Sequence, residues 1–588
     1  MEYPTLNVKQ KSRQMTDAFL GYNHNLRIGD GEFYDMKNMT SDRYPILAPR
    51  GKRGVYKDGI SATGLIAKDN LCYVDGSAFV IGDERIEMGL SDGEKNLISM
   101  GAYVIIMPDR KYINTIKNGD EYEHGDIDEV HSTTEDVTFT LCTLTGDAYY
   151  EKGKEPPQDD TAPTDPKNGD LWIDTSSTPH TLKKYSEANE MWVSIATTYI
   201  KVSSKGIGKN LKQYDGVKIS GITIEALSVL NSAHALWGCT DDYIIITGIL
   251  DEVTTQTAAQ GAITVSRKMP TMDFIVESNN RLWGCRYGTN EDGNTVNEIY
   301  ACKLGDFKNW NCFMNLSTDS YTASCGTDGP FTGAITHLGY PLFFKENCIH
   351  KVYGNYPANY QIQSTACRGV QRGSHKSLAI VNETLFYKSI NAVCAYDGSL
   401  PVEMSTALGE IRYSDAVAGA HGNKYYITMK SADGMYHLFV YDTAKAMWHK
   451  EDNIHADCFC SYMNEMYCID HDTKQIITLL GSGTPDSKKV AWMVETGLIG
   501  MSLPDMKYIS RLLVRMSLEV GAKVEISIQY DSIGDWEQVC QMTVTSLRSF
   551  AIPVRPRRCD HFRIRIEGEG ECKIYSITKT IEQGSDVS

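Results

Sequence analysis

Between residues 272 and 483 one strand-rich unit recurs, and that recurrence leaves few folds open. Each copy holds a polar turn and a hydrophobic run, then a second turn and another run that often ends on an aromatic. Asn279-Asn280-Arg281-Leu282-Trp283-Gly284-Cys285 is answered by Glu298-Ile299-Tyr300-Ala301-Cys302 and closed by Trp310. The unit returns at 339–344 with 349–353, at 382–387 with 392–398, and at 423–429 with 437–442 and Trp448. A shorter copy pairs 464–469 with 475–479. Short runs rich in aromatic and β-branched residues, parted by Gly, Asn and Asp, read as antiparallel strands. A spacing near the 40 to 45 residues of a propeller blade argues for a radial array rather than a sandwich. Two earlier stretches, 64–81 and 97–107, fit the same unit. The expectation is an all-β chain with a β-propeller of about seven blades, the terminal blade drawing on both chain ends.

The rest of the chain divides around that array. Residues 1–55 read as an extended lead-in with turns at Gly29 to Gly31 and at the prolines, and 56–118 as the first blades. Residues 119–271 interrupt the repeat and read as inserted β-modules, with one short helix over 224–231. A proline-rich acidic linker, 156–166, opens a Trp-rich module of about 155–195 that carries Trp172, Tyr185 and Trp192. After a linker at 482–487, residues 488–588 change character. Leu512, Val514, Met516 and Leu518 alternate with polar neighbours, as do Val524, Ile526, Ile528 and Tyr530, and again Phe562, Ile564 and Ile566. Period-two alternation with one polar face predicts a carboxy-terminal β-sandwich.

Charge excludes some functions. The net charge is −17; residues 488–588 carry 14 Lys+Arg against 13 Asp+Glu, and residues 1–487 carry 44 against 62. An acidic body does not bind nucleic acid by neutralising phosphates. It does allow DNA to slide past a repelling wall. Arg511, Arg515, Arg563 and Arg565 fall on the polar sides of the sandwich strands, with Arg555, Arg557 and Arg558 just upstream of the last one. Such a face is either solvated or an inter-subunit contact for an acidic partner, a second copy included.

No catalytic or cofactor signature stands in the chain. Phosphate loops, His-Glu-x-x-His and the sialidase Asp-box are missing from the sequence. Asp397, Asp442 and Asp470 sit where blade turns use Asp for backbone hydrogen bonds. Asn290-Glu291-Asp292-Gly293-Asn294 and Asp470-His471-Asp472 lack the spacing of a calcium loop. The 16 cysteines lie mostly in expected strands and read as small buried hydrophobes. Cys458 and Cys460 with nearby His455 come closest to a zinc set, one ligand short. No enzyme, cofactor or metal is therefore expected. Trp172, Tyr185 and Trp192 form either the miniature core of their module or a stacking surface for host glycan. A propeller enzyme that degrades glycans is a third possibility.

A resemblance supplies a further expectation. Gly31-Glu32-Phe33 ahead of Asn38-Met39, then Tyr44-Pro45 and Arg50-Gly51 before the first blade, resembles the opening of bacteriophage virion propeller proteins. These include the tail-hub and nozzle proteins of short-tailed phages. The resemblance implies a structural tail component, in the virion and in host cytoplasm during assembly. It implies a ring, commonly of six copies, docked on portal or adaptor proteins and touching DNA in transit. The sequence has no apolar run of 18 residues and no basic-then-apolar opening, so neither a membrane span nor a secretory leader is expected.

Overall fold

The computed structural model describes residues 11–485, 488–543 and 545–584, so Asp486 and Ser487 of the expected linker lie outside the described residues. Those residues form strands joined by turns and six short 3-10 segments, one of them Glu225–Leu230, where the short helix is expected. None of their helices is long and apolar enough to cross a membrane.

Seven antiparallel sheets, counted among the described residues, form a series, and all but the last are built from strands consecutive in sequence. They begin at Ala62–Ala67, Asn96–Met100, Phe274–Ser278, Gly333–His337, Ala379–Val381, Tyr413–His421 and Ala456–Tyr462. Tight two-residue turns set their register. Asn279 and Asn280, at φ +53° and +57°, reverse the chain between Ser278 and Arg281, a conformation Asn tolerates better than most residues. Central strands carry near-continuous apolar runs because both faces are covered. In Lys424–Ser431 the adjacent Tyr425 and Tyr426 are both buried although they point to opposite sides.

Each face of a sheet packs on the next sheet. Cys72 and Val74 of the first meet Val104 and Ile106 of the second, whose Ile98 and Ile105 meet Leu282 and Tyr300 of the third. Trp283 meets Phe343, Phe344 meets Tyr387, and Phe386 meets Tyr425. Tyr426 then meets Met466, and Tyr467 returns to Leu71 of the first sheet. Apolar clusters thus run around a closed ring, which two stacked layers cannot produce. The first strands pack on one another along the axis, with the turn His375–Ser377 filling the place between the fourth and fifth sheets. The ring closes through the other chain end. Gly54–Lys57 pairs with Ile476–Thr478 in the seventh sheet, and Thr484–Pro485 pairs on its other side. Arg50 and Arg53 clamp that closure, at 3.0 Å and 2.8 Å from Asp452, with Arg53 also 3.0 Å from Glu451.

Between the second and third sheets the chain leaves the ring. Glu129–Ser132, Gly216–Ser220, Ala233–Ala235 and Thr264–Arg267 form one sheet, and Val137–Cys142, Tyr199–Ser203, Gly238–Thr240, Tyr243–Thr247 and Thr254–Gln256 another. Their apolar sides share a core of Phe139, Ile200, Val217, Ile219, Ile244 and Val265. A buried network fastens this insertion to the third sheet. Arg267 Nη1 lies 2.5 Å from Asp215 Oδ2, whose other oxygen accepts from Asn309 Nδ2 at 3.0 Å.

The sandwich is where the lead-in expectation is corrected. Lys11–Thr16 pairs with Cys572–Gln583, which pairs in turn with Lys507–Leu518, in one sheet, and Glu32–Lys37 pairs with Ala491–Thr496 in the other. Residues 11–37 are therefore strands of the carboxy-terminal domain. Local patterning cannot show this, because the partner strands lie more than 450 residues away. Leu512, Val514, Ile526, Ile528, Ile564 and Ile566 fill the core with Phe33, and the same cluster continues into Phe386, Tyr425 and Phe439 of the ring. At about 1.5–3 kcal/mol for each large apolar side chain buried, that shared core welds sandwich to propeller.

Candidate functional site

The Trp-rich module is a four-stranded sheet of Gln158–Asp159, Leu171–Asp174, Thr181–Ser186 and Met191–Ser194. Its pleat sorts its side chains. Ile173 and Leu182, paired across the ladder, point into the core of the insertion. Trp172, Lys183, Tyr185 and Trp192 share the opposite face. Trp172 is 4% exposed; its Nε1 donates to the carbonyl of Asp159 at 3.2 Å and Lys183 Nζ sits 4.8 Å above its ring. Trp192 meets both Trp172 and Tyr185 edge-to-face at 5.5 Å. Of the three aromatics expected to contact glycan, Trp172 is thus core, Tyr185 and Trp192 are both partly exposed, and Trp192 is the one that lines a groove. The hydrogen bond from Lys183, then that from Ser176, holds the Asp174 carboxyl down at about 2.

The groove that Trp192 lines measures about 390 Å³. Tyr149, Pro156, Pro163 and Leu171 supply its apolar walls, and Lys154, Asp165 and Asp170 stand at its polar positions. Asp170 is fixed by accepting from the Lys167 amide at 2.8 Å. Tyr150, behind the wall, is anchored by donating to the carbonyl of Leu250 at 2.6 Å, and burial pushes its hydroxyl pKa well up. The acidic linker of the sequence therefore folds back as one wall of a cleft.

A second group of side chains gathers near the axis, where Ala456–Tyr462 begins and Glu465–Asp470 ends. The His471 amide donates to the His455 carbonyl at 2.8 Å, which sets the two imidazoles face to face at 3.9 Å. Tyr436 stacks on the far side of His455 at 3.6 Å. Asp457, at the β-bulge just inside its strand, lies 2.6 Å from His471 Nδ1 and 2.6 Å from Lys474 Nζ. Lys376, from the turn before the fifth sheet, donates to the Asp457 carbonyl at 2.6 Å and pairs with Glu94 at 2.7 Å, ahead of the second sheet. These residues bridge sheets that are not neighbours in the ring.

The zinc set suggested by the sequence is not assembled. Cys458 and Cys460 turn into the core between the seventh and first sheets, and burial pushes their thiols up to about 11 and about 12. His455 instead meets Asp457 and His471. The sequence signal for His471 is the Asp470-His471-Asp472 turn, and only the ladder register shows which histidine it faces.

The arginines do not form one surface. Arg511 and Arg515 lie on the sheet of Lys507–Leu518, while Arg563 and Arg565 lie on the other sheet, each bound to Glu495, at 3.0 Å and 2.9 Å. Arg563 also covers the ring of Tyr34, and Arg565 that of Trp536. Arg557 pairs with Glu537 at 2.6 Å, and Arg515 Nε donates to Ser549 at 3.1 Å. Arg511, Arg555 and Arg558 are exposed. Asp397 and Asp470 cap their own turns, accepting from Ser399 and from the Asp472 amide, and Asp442 accepts from Ser41 at 2.6 Å. Asn290 likewise accepts the amides of Asp292 and Asn294 within its hairpin.

Comparison with known proteins gives no family: no family model matches, and no curated protein does. Among solved structures the chain is similar to an exo-β-1,3-galactanase from Phanerochaete chrysosporium. The identity is 9%, covering 52% of this chain and 94% of that one, at TM-score 0.21. It is also similar to Trypanosoma rangeli sialidase, with 8% identity over 91% and 96% of the two chains and TM-score 0.21. Likeness at that level carries no argument about activity. The expected role as a virion tail hub gains no support here: the named structures act on glycans, and neither is a virion protein. The residues behind that resemblance have local structural tasks. Phe33 is sandwich core, Glu32 accepts from the Gly29 amide, and Asn38 ties Ala491 to Arg50. They mark a joint between domains. The expectation that the chain is no enzyme gains no support from these comparisons.

Proposed function

We propose that this chain is a carbohydrate-binding protein whose inserted domain presents the groove at Trp192. The observation that carries the reading is one partly exposed indole, braced edge-on by two rings, beside the fixed carboxylate of Asp170. An indole face stacks on the apolar face of a pyranose ring, and Asp165 and Asp170 are placed to accept from its hydroxyls. Trp172 and Tyr185 hold Trp192 edge-on, so little side-chain freedom is lost when a sugar settles on it. The groove is open along its length, which suits a chain of sugars better than a single ring.

Glycan-array screening of the full chain, followed by calorimetry with the best oligosaccharide, tests this. Trp192→Ala is expected to weaken binding at least tenfold, about 1.4 kcal/mol, with unchanged circular dichroism. Asp170→Asn is expected to weaken it less. Undiminished affinity in Trp192→Ala, or an array silent for the wild-type chain, would end the proposal.

A further inference from the structure

We infer that His455, Asp457 and His471 form a binding site for a divalent transition-metal ion on the axial face of the ring. All three gather at the open end of a single hairpin, and their potential ligand atoms lie within 4.8 Å of one another. Two imidazoles and one carboxylate are the donor types that zinc and other first-row divalent ions take, and a three-residue set leaves coordination positions for water.

Little has to move. Asp457 Oδ1 and His471 Nδ1 now share a hydrogen at 2.6 Å. Two ligands each about 2.1 Å from an ion stand roughly 3.0–3.4 Å apart, so replacing that proton by a metal opens the pair by less than about 1 Å. The second carboxylate oxygen already accepts from Lys474 at 2.6 Å, the outer bond that orients a ligating carboxylate. His455 is steadied by Tyr436 on the face away from His471. Lys376 and Lys474 add positive charge beside the site and lower its affinity relative to a neutral surround, while Glu94 partly offsets them. His471 is about half exposed at its side chain, 45%, so solvent reaches the open positions.

The test uses the full chain freed of metal by chelation. Titration with Co²⁺ is expected to give visible ligand-field bands saturating at one ion per chain, without a thiolate charge-transfer band. Zn²⁺ is expected to displace the cobalt and to raise the melting temperature. His455→Ala and His471→Ala should each weaken Zn²⁺ binding by about 100-fold, the upper end for disturbing such a site. His180→Ala, which removes another half-exposed His–Asp pair, should leave it unchanged. A thiolate band would place the ion on Cys458 and Cys460 and overturn the assignment. So would binding that survives loss of both histidines, or none tighter than about 1 mM. Because the spectrum is read on the wild-type chain, a variant that fails to fold does not shield the inference.

Discussion

The ring and the sandwich are both antiparallel β-structure, yet they are assembled by opposite rules. Every ring sheet but the seventh takes its strands from one continuous segment, and its hairpins close within a few residues. The sandwich joins strands from both ends: Lys11 faces Glu582, and Phe33 faces Thr496. Loop closure is inexpensive in the first case and entropically demanding in the second. The difference teaches where stability is pooled. Ring sheets hold their own register, whereas the sandwich depends on a few large buried contacts to bring distant segments together.

The strongest way to break the comparison is at the single ring sheet that obeys the sandwich rule. Arg53→Met removes one cation from the buried cluster with Glu451 and Asp452 and should cost about 3–5 kcal/mol. Denaturant melts should report the loss, and hydrogen exchange should rise first across Ile476–Thr478, where Gly54–Lys57 docks. Phe33→Ala, in the sandwich, should cost a similar 3–5 kcal/mol. Its exchange signature should spread to Ala491–Thr496, while Ala62–Asp75 keeps its protection.

Acid sharpens the contrast next. His350 is buried in the fourth sheet between Ser364 and Thr327, and His449 is buried in the sixth. Burial lowers the first to about 4 and the second to about 3. Both are neutral in the fold, so the unfolded chain takes up protons first as pH falls below its ordinary histidine value. Their contribution is complete above about pH 6.5 and is lost as pH drops toward 4, at roughly 1.4 kcal/mol per pH unit for each. Urea midpoints between pH 7 and 4.5 should show that slope, shallower in His350→Gln, with ring amides exposed before those of the sandwich. The smallest effect is local. Asn280→Ala, at a left-handed turn position, should cost about 1–2 kcal/mol and Asn280→Gly much less, with exchange confined to the Phe274–Thr289 hairpin.

The same contrast explains what could be read from the sequence. Asn279-Asn280 followed by Arg281–Thr289 declares a hairpin by itself, and Leu512, Val514 and Met516 declare a half-buried strand by alternation. Nothing near Phe33 names Thr496 as its partner, so residues 11–37 read as part of an extended lead-in over 1–55. Sites suffered in the same way. Trp172, Tyr185 and Trp192 were visible as a set, but which of them stays accessible depends on how they stack across neighbouring strands. Asp457 carried no signal, because its role comes from a cross-strand meeting with His471. The arginines of the last hundred residues look like one surface until the strands are dealt to two sheets and Glu495 is found between two of them.

The pairing of Lys11–Thr16 with Cys572–Gln583 bears on how the protein is made. On the ribosome, the early hairpins of the ring can form as they emerge. The first strands of the sandwich must wait, unpaired, until almost the whole chain has been synthesised. Truncated products would expose Phe33 and its neighbours to solvent, so a chain released early is a ready client for chaperones and proteases, and only the finished polypeptide hides them.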